Sequence, residues 1–342
     1  MRVEEFDYHL PPSLIAQYPS PRRGETSLMV LHRQTGAIEH RAFGDIALYV
    51  DPSDLLVMNN TRVLPARLIG KKETGGRVEM LLIPSWNGIE GEWKALIKGG
   101  GKMKRGARIQ FEQGFEGEVR EVKDGIGKVS FSCQGEVIDI LRRIGHIPLP
   151  PYIKRADERL DRERYQTVFA ERDGSIAAPT AGLHFTHDLL QSLRENGVRT
   201  TTITLHVGIG TFAPVKARDV EDHIMEAEWS EISEETAREI EDTKARGGKV
   251  IAVGTTTARA LESFSTGSGG VKPGNGMSSL FIYPPYPFRV IDGLVTNFHL
   301  PKSTLVMLAS AFAGRDLLMK AYQEAIRRKY RFYSYGDAML IL

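Results

Sequence analysis

Arg77-Val78-Glu79-Met80-Leu81-Leu82-Ile83 is the first of a series of short apolar runs. Glu92-Trp93-Lys94-Ala95-Leu96-Ile97, Ala107-Arg108-Ile109-Gln110-Phe111, Gly117-Glu118-Val119-Arg120-Glu121-Val122 and Gly127-Lys128-Val129-Ser130-Phe131 continue it. Glycine pairs or Asp124-Gly125 lie between the runs. Short strands at near-regular spacing, parted by turn residues, predict a small antiparallel barrel or sandwich. The text on either side has a different character, so the barrel, residues 65–147, reads as an insertion into a larger unit formed by residues 1–64 and 148–342.

That larger unit alternates strands with helices. Thr186 caps a helix whose apolar side is Leu189, Leu190 and Leu193 and which stops at Gly197. A threonine-rich strand follows, Val198 to Val207. Ser233 caps the next helix, with Glu234 and Glu235 in the first turn, where the helix dipole favours acids. Lys249 to Val253 reads as a buried strand running into Gly254-Thr255-Thr256-Thr257 and another helix. Leu305 to Phe312, Leu317 to Ile326 and a terminal strand from Ala338 complete the pattern. The fold class expected is mixed α/β, a large barrel-like layer carrying a small antiparallel barrel. Ser265 to Gly276, rich in glycine and serine, reads as a mobile loop.

Composition sets bounds. Of 342 residues, 41% are apolar and 26% charged, which suits a packed core under a soluble surface. No run of eighteen apolar residues occurs, so no membrane span is expected. The start, Met1-Arg2-Val3-Glu4-Glu5, carries acids where a signal peptide would be basic and apolar. With the single cysteine, Cys133, this points to the cytoplasm. The net charge of +2 gives little general attraction to nucleic acid, so an RNA partner needs a local basic patch.

Five segments hold more polar side chains and glycines than packing requires. Asn60 and Arg62 follow the apolar run Leu55 to Met58; donors at a strand's carboxyl end suit a ligand, and a loop-tying turn is the equal alternative. Thr180 and His184 lie among small residues before a helix start. His206 stands beside Gly208 and Gly210, whose spacing lacks the following helix of a dinucleotide fingerprint. Thr255 and Thr256 open a helix as an anion-binding nest, and Arg259 and Glu262 share a face on which they can simply pair. Asn297, His299 and Lys302 precede a helix capped by Ser303 or Thr304. For RNA, the hairpin end with Lys102, Lys104 and Arg105 offers cations, and Arg327 to Tyr335, including Arg328 and Arg331, interleaves cations with aromatics. No metal-ligand spacing and no P-loop occurs.

Taken in order, Phe6-Asp7-Tyr8 through Gln17, Asn59 to Arg67, Tyr165 to Phe169, Ala177 to Thr186, His206 to Phe212, Gly254 to Glu262, Thr296 to Leu305 and Tyr330 to Leu342 resemble the S-adenosylmethionine:tRNA ribosyltransferase-isomerases of queuosine biosynthesis. The resemblance runs from end to end. It implies an α/β unit with an inserted barrel, S-adenosylmethionine as co-substrate and tRNA as partner, with no metal and no membrane; a monomer is one option, and the sequence does not give the oligomeric state. Where the family often has a histidine after Asp-His-x-Met, this chain has Glu226, while Asp222, His223 and Glu228 match.

The implied reaction moves the ribosyl unit to the amine of an aminomethyl-deazaguanine at the wobble position of tRNA. A base must take a ribose 5′ proton acidified by the sulfonium, an acid must assist adenine's departure, and the alkylammonium must be deprotonated. Histidine suits each step, so His206, His299 and His223, with Asp222 or Glu228 as an orienting group, are the catalytic candidates. Asn60, Arg62, Thr180, His184, Gly208, Gly210, Thr255, Thr256, Arg259, Glu262, Asn297 and Lys302 are the substrate-binding candidates. An RNA methyltransferase using the same co-substrate would need a glycine-rich first loop that is not found in order. A non-catalytic RNA-binding barrel would leave the loops outside the barrel unexplained.

Overall fold

The structure, a computed structural model, describes residues 1–84, 92–99, 103–123, 125–132, 136–212 and 215–342, with backbone alone at 211–212. Lys102 and Cys133 lie outside the described residues. The chain begins with β1 (Ser27–Leu31), β2 (Ile38–Ala42), β3 (Leu55–Asn59) and β4 (Thr61–Val63). Next come β5 (Arg67–Lys72), β6 (Arg77–Ile83), β7 (Glu92–Gly99), β8 (Arg108–Gln110), β9 (Glu116–Lys123) and β10 (Ile126–Ser132). After α1 (Val137–Ile144), α2 (Arg159–Arg164) and β11 (Arg172–Ser175), the large unit resumes with α3 (His187–Glu195), β12 (Arg199–Leu205), β13 (Glu228–Ile232) and α4 (Glu234–Ala245). It ends with β14 (Val250–Val253), α5 (Thr255–Ser263), β15 (Gly274–Ser278), β16 (Gly293–Asn297), α6 (Thr304–Ala313), α7 (Arg315–Arg327) and β17 (Ala338–Ile341).

Strands β5 to β10 close into an antiparallel barrel in the order β10-β7-β6-β5-β8-β9. Leu68, Val78, Met80, Leu82, Ala95, Ile109, Val119 and Val129 fill it, each with no exposed surface. Alternation with period two sends these side chains inward and their neighbours to solvent, and closure removes the unpaired edges. Gly70 is required by close approach: a Cβ there would lie 2.7 Å from the Gln110 carbonyl and from Phe111. Helix α1 adds Ile140, Leu141 and Ile144 to the same core.

The large unit is a nine-stranded mixed sheet, β15-β13-β12-β3-β14-β16-β17-β1-β2. The layer expected to be barrel-like thus has two edge strands, β15 and β2, that do not pair with each other; the mixed α/β class with its inserted barrel is as expected. Alternate residues of one strand feed two cores. Leu55 and Val57 pack with α4 to α7, and Leu56 and Met58 pack with Leu190 and Leu193 of α3 and with Phe43 and Ile46. This is a three-layer arrangement, each face of the sheet covered by helices. The expected caps are present: Thr186 accepts from Leu189 N, Ser233 from Thr236 N, and Ser303, not Thr304, from Val306 N.

Two further expectations change. The glycine/serine segment is partly ordered as the edge strand β15, paired antiparallel with β13. In the carboxyl-terminal run, Tyr330, Phe332, Tyr333 and Tyr335 are buried, so the aromatics read as base-stacking surface are core. Their rings pack on Phe298, Tyr322, Tyr152 and Tyr165. A sequence of alternating cations and aromatics does not reveal which face turns inward.

Candidate active site

Strand β3 is parallel to β12 and β14, and β14 to β16. Their carboxyl ends therefore emerge on one edge of the sheet, the edge where open α/β sheets bind ligands. Strand β17 is antiparallel to β16, so the segment entering it, Tyr333-Ser334, arrives at that same edge. A cavity of about 370 Å³ lies there. Ala178 to Ala181, Val207, Gly254 to Thr256, Thr296, Asn297, His299 to Pro301, Ser303, Leu305, Tyr333 and Ser334 line it, with Pro151 and Tyr152 from the segment returning from the barrel. Of the residues expected to bind or catalyse, Thr180, Thr255, Thr256, Asn297 and His299 share this one wall.

Gly254, with φ 99°, turns the chain from β14 into α5 in a conformation that favours glycine. The first intrahelical bond of α5 is Ala258 N to the Gly254 carbonyl, so the amides before it belong to a free helix start. The Thr257 hydroxyl donates back to the Val253 carbonyl, 2.8 Å. Among the described residues the buried Thr256 hydroxyl has no hydrogen-bond partner. His299 is 7% exposed, and its Nε2 lies 2.7 Å from the Thr296 hydroxyl. Burial pushes its imidazole down to about 3, so the ring is neutral at pH 7. Tyr8 donates to the His299 carbonyl, and the Tyr322 hydroxyl accepts from its amide.

His206 sits one residue from this wall, next to the lining Val207. Its Nδ1 is 2.7 Å from the Thr61 hydroxyl, and its ring stacks on Trp229 with centroids 5.1 Å apart. Burial, with a smaller contribution from the Arg172 charge, lowers it to about 3. His184 is behind the wall. It bridges the Thr26 hydroxyl and Asn297 and packs on Phe43.

Other candidates are engaged elsewhere. Buried Arg259 of α5 pairs with Glu228 of β13, not with Glu262 one turn away. Glu228 also accepts from the Gly208 amide, 2.8 Å, so the pair anchors the loop after β12. Glu262 takes the amides of Arg289, Val290 and Ile291 and ties that loop to α5. Asn60 accepts from the Thr204 hydroxyl and donates to Glu171, and Arg62 donates to the Ala170 carbonyl, as loop ties. Lys302 is turned to the surface, 2.8 Å from Asp7, which supplies the counter-charge expected of a bound anion. Gly210 lies under the Glu226 carboxylate: a Cβ would come within 2.7 Å of it.

Asp222 and His223 are outside the cavity lining. Asp222 is exposed, and His223 packs edge-on against Phe281, 5.1 Å. Phe281, Met225 and Arg259 line a small neighbouring cavity that shares Thr255, Thr256 and Leu305 with the main one. Lys104 and Arg105 are exposed on the segment that leads from β7 to β8; those strands are not neighbours in the barrel, so the segment is a crossing connection and not the hairpin end expected. Arg328 pairs with Glu324 at 2.6 Å, and Arg331 is held by Asp337 and the Tyr18 carbonyl. Among the described residues no group of three or more His, Cys, Asp or Glu is placed to hold a metal ion, and no helix is long and apolar enough to cross a membrane. The sequence reading missed Tyr152, Tyr333 and Ser334 as cavity walls. The one local signal was the aromatic density of the last thirteen residues, which also fits a core.

Fold and cavity define a class: a mixed α/β protein with an inserted antiparallel barrel and a small-molecule cavity where parallel strands end. The family model described as queuosine biosynthesis protein matches residues 3–341, and the chain belongs to that family. It is 52% identical over 345 aligned residues to the S-adenosylmethionine:tRNA ribosyltransferase-isomerase of Halothermothrix orenii, the match covering the whole of both chains. The protein of that name from Desulforamulus reducens is 49% identical over the whole of both chains. The crystal structure of S-adenosylmethionine tRNA ribosyltransferase from Thermotoga maritima aligns with a TM-score of 0.57 at 40% identity, covering 99% of this chain and 100% of that one.

Proposed function

We propose that this protein is an S-adenosylmethionine:tRNA ribosyltransferase-isomerase. It moves the ribosyl unit of S-adenosylmethionine onto the 7-aminomethyl-7-deazaguanine of a tRNA wobble position, isomerises it to the epoxycyclopentanediol of epoxyqueuosine, and releases adenine and methionine. The observation that carries this reading is family membership over the full chain, joined to a cavity at the carboxyl ends of β12, β14 and β16.

S-adenosylmethionine is the co-substrate, seated in that cavity by Thr180, Thr255, Thr256, Asn297 and His299. The free amides and positive end of α5 suit the methionine carboxylate. Arg259 supports the loop after β12 through Glu228 and Gly208 rather than by touching the ligand. His299 lines the cavity as a neutral ring; with Nε2 on Thr296, its Nδ1 is the nitrogen left to meet the ribose. His206, equally neutral, acts from the adjoining loop. Neutral imidazoles can accept a proton from the activated 5′ carbon, but they hold almost no proton to give at pH 7. Adenine's departure is therefore assisted by a hydrogen bond or by the proton just taken. His223 acts through Phe281, which it packs on, from the side of the neighbouring cavity around Arg259, with Asp222 beside it.

The division at residues 64/65 and 147/148 separates the co-substrate unit from a barrel that helps hold tRNA. Lys102, Lys104 and Arg105, with Arg328 and Arg331, meet backbone phosphates, and the enzyme works as a single chain in the cytoplasm. The test is to mix the protein with S-adenosylmethionine and tRNA carrying the deazaguanine precursor. Free adenine and methionine are expected. S-adenosylhomocysteine would reveal a methyltransferase, and no product would leave only a binding protein.

A further inference from the structure

Asn297 ends β16 at the cavity wall and is 2% exposed. Its Nδ2 is 3.0 Å from the Tyr333 carbonyl and 3.2 Å from Nε2 of His184. A carbonyl can only accept, so Nδ2 must be the amide nitrogen, which fixes the orientation of the group. His184 Nε2 then accepts as well, and its proton is on Nδ1, donated to the Thr26 hydroxyl at 2.9 Å. Burial keeps this ring neutral, lowered to about 3 by desolvation first and by the Arg331 and Arg23 charges after it, as that tautomer requires. The chain Thr26–His184–Asn297 leaves the amide oxygen: among the described residues Asn297 Oδ1 is buried and has no hydrogen-bond partner. A buried acceptor without a donor is costly, and this one belongs to a residue of the cavity wall.

We propose that Asn297 is a dedicated hydrogen-bond acceptor for an uncharged donor on the bound co-substrate, and that His184 is the positioning residue that holds it in that sense. This rests on the function proposed above. With both amide hydrogens committed, Asn297 offers no donor, so the group it meets is not the carboxylate of the methionine end. Of the donors on S-adenosylmethionine, the methionine ammonium shares a carbon with the carboxylate assigned to the start of α5, so the group placed at Asn297 is an N–H or O–H of the nucleoside: the adenine amine or a ribose hydroxyl. The partnerless Thr256 hydroxyl on the same wall is available to the same ligand. The cavity thereby distinguishes the two ends of an elongated molecule, the anion at the start of α5 and the nucleoside donor at Asn297. Tyr333 supplies its carbonyl from a left-handed backbone, φ 72°, and Gly336 N also binds that oxygen, so the anchor is fixed from two sides.

The experiment measures calorimetric binding of S-adenosylmethionine and of its derivatives lacking the 2′-hydroxyl, the 3′-hydroxyl or the 6-amino group. The proteins are wild type, Asn297→Ala, His184→Leu and His184→Gln. One derivative is expected to bind wild type about three- to tenfold more weakly, the ordinary worth of one hydrogen bond, and it identifies the donor. That penalty disappears in Asn297→Ala and His184→Leu and returns in His184→Gln, whose amide can accept from Asn297 and donate to Thr26. A purely structural role of His184 would weaken all four ligands equally. Equal losses across the ligands, or derivatives that all bind wild type like the parent, overturn the assignment while leaving the function standing. Failure of wild type to bind S-adenosylmethionine at all overturns the functional reading, and this assignment with it.

Discussion

Acidification should destabilise this protein well before its carboxylates titrate, because three imidazoles are buried without charge. His184, His206 and His299 are 3%, 5% and 7% exposed, and desolvation lowers each to about 3. In the unfolded chain each returns to an ordinary value near 6.5. Between these values the unfolded state binds protons that the folded state refuses. The contribution is therefore fully present above about pH 6.5 and is lost as pH falls from there toward about 3. Each site changes stability by about 1.4 kcal/mol per pH unit well inside that window. From pH 8 to pH 5 the loss is about 2 kcal/mol per histidine and about 6 kcal/mol for the three if they act independently. That is a large share of the ~5–15 kcal/mol that holds a typical domain together. Asp337, whose carboxyl burial raises, pulls the opposite way at the acid end. The assay is urea unfolding at pH 8, 6 and 5, followed by the histidine Hε1 resonances. His184→Gln keeps a donor for Thr26 and an acceptor for Asn297 but cannot be protonated, so it should remove about 2 kcal/mol of the pH 8-to-5 loss. Stability that stays flat from pH 8 to pH 5, or buried-histidine resonances that titrate near 6.5, would refute the reasoning.

Arg259→Met leaves Glu228 buried without its cation. It should cost about 3–5 kcal/mol in unfolding free energy, whereas Glu228→Gln with Arg259→Met together should recover much of that; equal loss in single and double variants would argue against the pairing. Lys302→Ala should leave both stability and S-adenosylmethionine affinity unchanged, since Lys302 meets Asp7 in solvent; a weaker Kd by calorimetry would place it on the ligand. Lys104→Ala with Arg105→Ala should weaken tRNA binding and lower the slope of log Kd against log salt by about 2, with S-adenosylmethionine binding untouched. An unchanged slope would move the tRNA surface away from the segment between β7 and β8.

The strands of the barrel, the helix caps at Thr186 and Ser233, a cap at Ser303 or Thr304, and the loops after Val207, Val253 and Asn297 were legible as local patterns. Their causes are local: side-chain alternation, a hydroxyl three residues before an amide, a glycine that takes positive φ. The order of the motifs along the chain also carried the family. What spacing along the chain could not say is which polar residues the loops keep for themselves. Glu262 looked like a partner for Arg259 because they share a helix face, yet three loop amides claim Glu262, and Glu228 from another strand claims Arg259. Asn60, Arg62 and Lys302 were reasonable ligands by composition and became ties within the fold.

By itself, then, the sequence determined the inserted barrel, most of the elements and which loops carry polar residues and glycines, because those depend on interactions between near neighbours. Only the tertiary structure decided that Thr180, Thr255, Thr256, Asn297 and His299 share a wall, and that Tyr330, Phe332, Tyr333 and Tyr335 face inward. It alone gave His184 its place behind Asn297. Those outcomes turn on which strands lie side by side and on burial, and burial is a property of the packed chain rather than of any stretch of it.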